Sequence, residues 1–427
     1  MNAFTPRGWC PGLARPMMSG DGLLVRLRPA GTALSRPQLA ALADCAENFG
    51  NGLIDLTSRG NLQLRGIQET ALDDLAARLV RHDLAPRDGT RDPPAGIFTS
   101  PLAGLDATAR LDIRPVEAAL SAALSQEEFA GLPAKFSILL DDGGACPLGG
   151  AAADIRLEAS VHADVAQFAL RLGGVSDRAR FAGLCAVRDA AAVTLQITRR
   201  FMRTGPAVGT RPQRMRGLRT DGIAGLNTAP APPPRALTSA HDIIGAPTLG
   251  GGNYLGVSPP FGRLDGAMLR ALAAALIQAG AAALRVTPWR ALLIPCVPAA
   301  LARTRAALAG AGLITDPQDP LLRVAACSGL HACASATTDV RAHARALAPL
   351  AARLPGAAVA LHVSGCVKGC AHPGAAPVTL AGRAGLYDFI APGTARDAPQ
   401  LCNLTPGAAE AALARLVPGG HLERAAQ

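Results

Sequence analysis

Lysine is nearly missing from this chain of 427 residues. Of its 42 basic residues, only Lys135 and Lys368 are lysines and the rest are arginines. Aromatic side chains are also scarce, at 3%. With no basic low-complexity stripe either, that argues against a stacking platform for nucleic acid. Long apolar runs are missing as well. The longest, "ALAAALIQAGAAAL" (271–284), is too short to cross a bilayer, so no membrane is expected. The start, "MNAFTPRGWCPGLARPMMSGDG", has no apolar run behind a basic end, so no signal peptide is expected and the reading is cytoplasmic. A dinucleotide fingerprint is lacking too. "LGGGNYLG" (249–256) runs from loop into strand, the wrong order, and reads more simply as a tight turn. Nothing here resembles an NAD or flavin site, so reducing equivalents would come from a separate electron donor.

What is present is ordinary globular material, 49% hydrophobic and long enough for two or three domains. The net charge of +10 suits an anionic partner. Part of the arginine excess is what a biased base composition would produce.

The chain repeats itself. "LLVRLRP" (23–29), a helix capped by Ser35 with Leu39, Leu42, Ala46 and Phe49 on one face, "LIDLT" (53–57), "NLQLRGI" (61–67) and a helix marked by Leu72, Leu75 and Leu79 form one βαββα unit. The same order returns in "NYLGV" (253–257), a helix with Leu264, Met268, Leu272 and Leu276, "ALRVT" (283–287), "RALLIP" (290–295) and a helix over about 299–311. Each unit needs a partner to bury its second face. Further on, two stretches each run from loop to helix to strand, one ending in "LPAKFSILLDDGG" (132–144) and the other in "AAVALHVSGCVKGC" (357–370). In the second, Val340, Leu347, Leu350 and Leu354 form the helix stripe, and Val359, Leu361 and Val363 alternate in the strand. The Pro-rich "NTAPAPPPRALTSAHD" (227–242) joins two related halves.

Ten cysteines in such a length are not a disulfide scaffold, and clustered cysteine in a reducing compartment reads as metal binding or catalysis. Only the second copy carries spaced pairs: Cys327 and Cys333 as C-x5-C on the loop, Cys366 and Cys370 as C-x3-C at the strand end. The helix between them returns the chain, so both pairs can meet. Four thiolates flanked by glycine suit an iron–sulfur cluster. A structural zinc site, whose pairs are usually closer, and four unrelated buried thiols are the alternatives. Cys10, Cys45, Cys146, Cys185, Cys296 and Cys402 lack partners at ligand spacing, and core packing is their default.

These cysteines, the duplicated βαββα pattern and "LTSRGNLQL" together resemble the sulfite and nitrite reductase family over nearly the whole chain. The resemblance implies an α+β fold: duplicated ferredoxin-like half-domains plus two nitrite/sulfite reductase-type α/β domains with pseudo-two-fold symmetry. The expected boundaries are 1–85 and 86–226, the linker 227–242, then 243–315 and 316–427, the last carrying a 4Fe-4S cluster. Sirohaem accompanies the cluster in the reductases. "RGWCPGLARPMMSGDGLLVRLRP" (7–29), "PPFGRLDGAMLRALA" (259–273) and "HVSGCVKGCAHP" (362–373) are similar to the precorrin-3B synthase branch of aerobic cobalamin biosynthesis. That implies dioxygen-dependent hydroxylation and lactone closure on precorrin-3A, with a non-haem iron in addition to the cluster. A sirohaem-dependent sulfite or nitrite reductase is the alternative, and a basic binding module with a structural four-cysteine site is the non-enzymatic one.

The resemblance carries over residue by residue. The segment "TSRGN" implies Arg59 at the tetrapyrrole, with Asn61 and Gln63 weaker candidates; alternation makes a solvated strand face the plain reading of Gln63 and Arg65. "LPAKF" matches a segment with two catalytic lysines, of which Lys135 is the first and Ser137 replaces the second. That departure weakens the reductase reading. Lys368, between two cysteines, can meet a cluster or a substrate carboxylate, or simply be hydrated. His331, His362 and His372 lie near the cysteines in sequence, and each reads more readily as a hydrogen-bonding residue than as an iron ligand.

Overall fold

The computed structural model describes residues 11–86, 96–133, 135–204, 215–356 and 358–418. Among them are four five-stranded sheets. The first runs in the order Met17–Ser19, Gly22–Leu27, Leu62–Ile67, Leu53–Leu56 and ends on Arg263–Asp265, a strand from the other half. Its counterpart runs Thr248–Leu249, Gly252–Val257, Leu292–Pro295, Ala283–Val286 and ends on Ala33–Ser35 from the first half. Each ferredoxin-like half-domain thus lends the other a three-residue edge strand. The registers match: Leu264 pairs with Ile54, and Leu34 pairs with Leu284.

The lent strands end where the helices begin. Ser35 caps Arg36–Phe49 in a capping box with Gln38, and Asp265 caps Gly266–Ala279 by accepting from the Met268 amide at 2.8 Å. Leu264, expected on the helix, lies instead in the lent strand. Its side chain is still buried, because strand and helix both face the same core. The two helices pack against each other over one continuous core built from both halves, including Leu39, Leu42, Leu62, Leu269, Leu272 and Leu292. Each such leucine contributes about 1.5–3 kcal/mol by leaving water, so the halves are held mainly by this shared interior.

The other two sheets are mixed. Gly96–Thr99, Ser137–Asp141 and Ala153–His162 run parallel, then Val165–Gly174 and Arg180–Cys185 turn back antiparallel. In the second, Val324–Ala326, Leu361–Ser364 and Val378–Arg383 run parallel, followed by antiparallel Leu386–Ile390 and Leu401–Leu404. A helix crosses over between the first two strands of each sheet, Arg114–Leu124 in one and Val340–Ala352 in the other. Val340, Leu347, Leu354, Leu361 and Val363 are buried there as the periodicity implies. Val359 precedes the strand and is only half-buried, and Ala360 takes the inner place.

The Pro-rich connector lies along the first mixed sheet rather than hanging free. Ala236 accepts from the Gly149 amide at 3.2 Å, and Arg235 pairs with buried Asp141 at 3.1 Å. "LGGGNYLG" is a hairpin turn, with Gly250 and Gly251 at φ 56° and 80°. No helix among the described residues is long and apolar enough to cross a membrane.

Candidate metal and tetrapyrrole site

In the second mixed sheet, Cys327 is the first residue past the strand Val324–Ala326, and Cys366 lies two past Leu361–Ser364. Those strands are adjacent and parallel, with Ala326 beside Val363, so both cysteine loops leave from one edge. The loops are bonded together: the Gly365 amide donates to Cys327 Sγ at 3.3 Å, and the Thr337 amide to the Gly365 carbonyl at 3.1 Å. Gly365 is required by closeness, since a Cβ there would stand 2.6 Å from the Ala336 methyl.

Burial raises the Cys327 thiol pKa, backbone donors Gly365 and Gly329 oppose the rise, and Cys333 and Cys366 add to it. Burial likewise raises Cys370, with Cys366, Cys327 and Cys333 adding and Lys368 opposing. All four sulfurs therefore share one electrostatic neighbourhood. Yet no group of three or more His, Cys, Asp or Glu among the described residues is gathered to hold a single metal ion. One tetrahedral zinc, with Zn–S of about 2.3 Å, would draw its sulfurs to within about 4 Å of one another. The Gly365 and Gly329 amides directed at Cys327 suit a thiolate ligand of a metal core, whether one zinc or several irons and sulfides.

The remaining cysteines divide differently from the simple expectation. Cys45, Cys146, Cys185 and Cys296 are buried, and burial pushes the first three thiols up to about 11, 12 and 12. Cys402 is exposed on an edge strand, contrary to the packing default. Cys10 lies outside the described residues.

Arg59 sits in the turn after Leu53–Leu56, its guanidinium 5.8 Å from the centre of the Phe98 ring. It lies within electrostatic reach of Asp154, whose carboxyl is raised by burial and lowered by Ser137 and Arg59. The Ser137 amide donates to Asp154 at 2.9 Å. Asp154 thus links the "TSRGN" turn electrostatically to Ser137, the residue after "LPAKF", in which Lys135 is exposed. Asn61 is buried, and its amide donates to Thr57 Oγ1 at 3.1 Å. Gln63 is half-buried and accepts from Arg26 at 3.0 Å, so it is neither free nor fully solvated. Lys368 donates to Ser335 Oγ at 2.8 Å, joining the two cysteine loops.

Of the histidines, His331 is exposed in a turn at φ 69°, and His372 is half-buried. His362 is fully buried with both ring nitrogens unpartnered, its ring 5.8 Å from that of His372. Two hollows, of about 260 and 110 Å³, lie elsewhere, one around Arg78 and Arg81 and the other beside Pro232 and Arg235.

Several residues at the site carry no local sequence signal. Asp55, buried on Leu53–Leu56, accepts from Arg263 at 2.7 and 3.0 Å, Arg65 at 3.2 Å, Arg341 at 3.3 Å and Ser328 at 3.4 Å. Arg65, expected on a solvated strand face, is instead buried, because it pairs with Asp21 at 2.8 Å and donates to the Ala332 carbonyl. Arg290 stands in "TPWRA" where Gly60 stands in "TSRGN", and both hold positive φ, 57° and 64°. Its guanidinium donates to the Ala371 carbonyl at 3.1 Å. Only alignment of the two turns would have singled it out.

The first mixed sheet offers the matching edge without the cysteines. Ser100 is the first residue past Gly96–Thr99, and Asp106 comes six later, the positions of Cys327 and Cys333 in the other copy. Asp106 accepts from the Thr108 and Ala145 amides at 2.7 and 2.6 Å, filling with protein what the second copy leaves to thiols.

The nitrite/sulfite reductase ferredoxin-like half domain matches residues 15–82 and 247–308. A precorrin-3B synthase of Sinorhizobium sp is 35% identical over 399 residues, 92% of this chain and 84% of that protein. A ferredoxin–nitrite reductase of Synechococcus elongatus is 28% identical over 406 residues, 88% of this chain and 78% of that protein. A ferredoxin sulfite reductase of Mycolicibacterium paratuberculosis is 27% identical over 391 residues, 84% and 70%. Among solved structures, the NirA protein of Mycobacterium tuberculosis shares the fold with a TM-score of 0.73 at 24% identity, covering 90% of this chain and 78% of that one. With its exchanged edge strands and its likeness to such proteins over 84–92% of its length, the chain belongs to the nitrite/sulfite reductase family, as a homologue of precorrin-3B synthase.

Proposed function

We propose that this protein is a precorrin-3B synthase: it hydroxylates precorrin-3A with dioxygen and closes a lactone from a ring acetate. The observation that carries the reading is the likeness to a precorrin-3B synthase, 35% identical across 92% of the chain against 28% or less for the long reductase matches. Ser137 adds to it. A reductase that protonates departing oxygen wants a second lysine there, and this position is a buried serine bonded to Asp154.

Cys327, Cys333, Cys366 and Cys370 would hold a 4Fe-4S cluster, with a non-haem iron besides; sirohaem belongs only to the reductase reading. When bound, the cluster supplies single electrons from a separate donor to the centre that activates dioxygen. The chain's own residues bind and orient. Arg59, steadied over Phe98, offers a planar fork to a ring carboxylate. Asn61 and Gln63 shape the same strand, and Lys368 presents a cation at the cysteine loops. Lys135, exposed, offers Nζ as a hydrogen-bond donor to the oxygen formed on the substrate.

The test is anaerobic purification with iron, sulfide and haem assays, then incubation with precorrin-3A with and without air. The reading expects iron and sulfide without sirohaem, and product only with air. Stoichiometric sirohaem with sulfite or nitrite turnover would replace it by the reductase reading. Zinc without acid-labile sulfide would leave a binding module.

A further inference from the structure

Four guanidiniums converge on the two cysteine loops from behind. Arg65 donates to the Ala332 carbonyl, beside Cys333. Arg263 and Arg341 meet on Asp55, which also holds Ser328, the residue after Cys327. Arg290 donates to the Ala371 carbonyl, the residue after Cys370. Among the described residues, two carboxylates, Asp21 and Asp55, answer these four charges.

The imbalance is not a surface effect. The Arg65 and Asp55 side chains are 3% and 9% exposed, and Arg263 and Arg341 are 16% and 18%. Buried cations normally acquire partners, because unpaired charge is costly away from water. Among the described residues, Arg341 keeps a buried Nε with no partner, and Arg290 has no ion pair although its backbone is held at positive φ. A non-glycine residue there costs about 1–2 kcal/mol, which Gly60 avoids in the other turn. Burial pulls the Arg341 pKa down to about 10, and Cys327 is among the groups whose negative charge would restore it. The missing counter-charge is thus on the side where the thiols lie.

We propose that Asp55, Arg65, Arg263, Arg341 and Arg290 are positioning residues that hold both cysteine loops and leave a net positive charge matched to an anionic core, thereby raising its reduction potential. The inference rests on the cluster reading above. It follows from charge and distance alone: adding an electron beside uncompensated guanidiniums is favoured, and beside an extra carboxylate it is not.

The experiment is a redox titration of the iron-loaded full chain, followed by electron paramagnetic resonance, with iron and sulfide content measured on each sample. Arg341→Gln and Arg290→Gln should each make the reduction constant at least tenfold less favourable, about 59 mV for one electron. Asp55→Asn should move the midpoint the opposite way, and Arg290→Lys should leave it in place. A structural role alone would not reverse sign with the charge removed. Should Asp55→Asn not fold, the contrast between Arg290→Gln and Arg290→Lys decides. Unchanged or same-direction midpoints would overturn the proposal, as would weaker precorrin binding at constant midpoint, which would assign the charge to substrate. A wild-type chain that takes up no cluster would instead overturn the cofactor reading.

Discussion

Ser328 Oγ lies 3.4 Å from Asp55 Oδ2 although 273 residues separate them. With Ser19 donating to the Ala332 carbonyl at 2.8 Å, the first cysteine loop is fastened to the opposite half-domain. Gly20 makes this approach feasible, since a Cβ there would stand 2.9 Å from the Cys333 amide nitrogen. The second loop is held through Arg290 to Ala371 and through its bonds to the first loop, from Gly365, Thr337 and Lys368, rather than to the opposite half-domain directly. Removing iron with a chelator should therefore loosen the two unequally. Hydrogen exchange should speed most at 366–373, less at 328–336, and little in the strands Leu62–Ile67 and Leu292–Pro295. Equal loosening of both loops would contradict the fastening.

Cys366→Ser and Cys370→Ser should each lose the brown chromophore, with iron and sulfide falling towards zero, because a hydroxyl does not replace a thiolate. Colour and metal analysis of the purified variants read this directly. Full iron and sulfide in either variant refutes the ligand assignment.

Arg59→Ala should weaken precorrin-3A binding about 10- to 100-fold, the loss of a charge-assisted hydrogen bond of about 1.5–3 kcal/mol. The cluster should remain, since among the described residues Arg59 bonds to neither cysteine loop. A binding titration with an unchanged constant would remove Arg59 from the site.

Burial, then the charges of His372 and Arg290, hold His362 down to about 4 from an ordinary 6.5. Between these values the unfolded chain binds a proton that the folded chain refuses. Stability should therefore fall as the pH drops from about 6.5 to about 4, and level off below. His362→Met should flatten that stretch by about 3 kcal/mol. Urea titrations at neutral and acid pH compare the slopes, and equal slopes would show that His362 does not titrate there.

Much of the fold was legible because it is written in side-chain period. "LIDLTSRGNLQL" and "ALRVTPWRALLI" alternate alike, and Ser35 announces its helix by standing three residues before Gln38. The lent strands were not legible. Ala33–Ser35 and Arg263–Asp265 are three residues long and run straight into a cap, so no alternation can develop. The cysteine pairs were visible through spacing, since neighbouring parallel strands bring both loops to one edge. The arginine cradle was not, because Asp55, Arg65, Arg263, Arg290 and Arg341 lie far apart in sequence and look like any residues of an arginine-rich chain. Their meaning comes only from burial and from the count of opposite charges around them.

Reciprocal lending of an edge strand gives the chain's history a physical constraint. A half-domain of this kind standing alone could complete its sheet only against an identical neighbour, as a symmetric pair. Fusion of such a pair removes the need for sameness. One edge can then drift to Ser100 and Asp106 while the other keeps its sulfurs, and the spare copy survives as the wall that holds the working one in place.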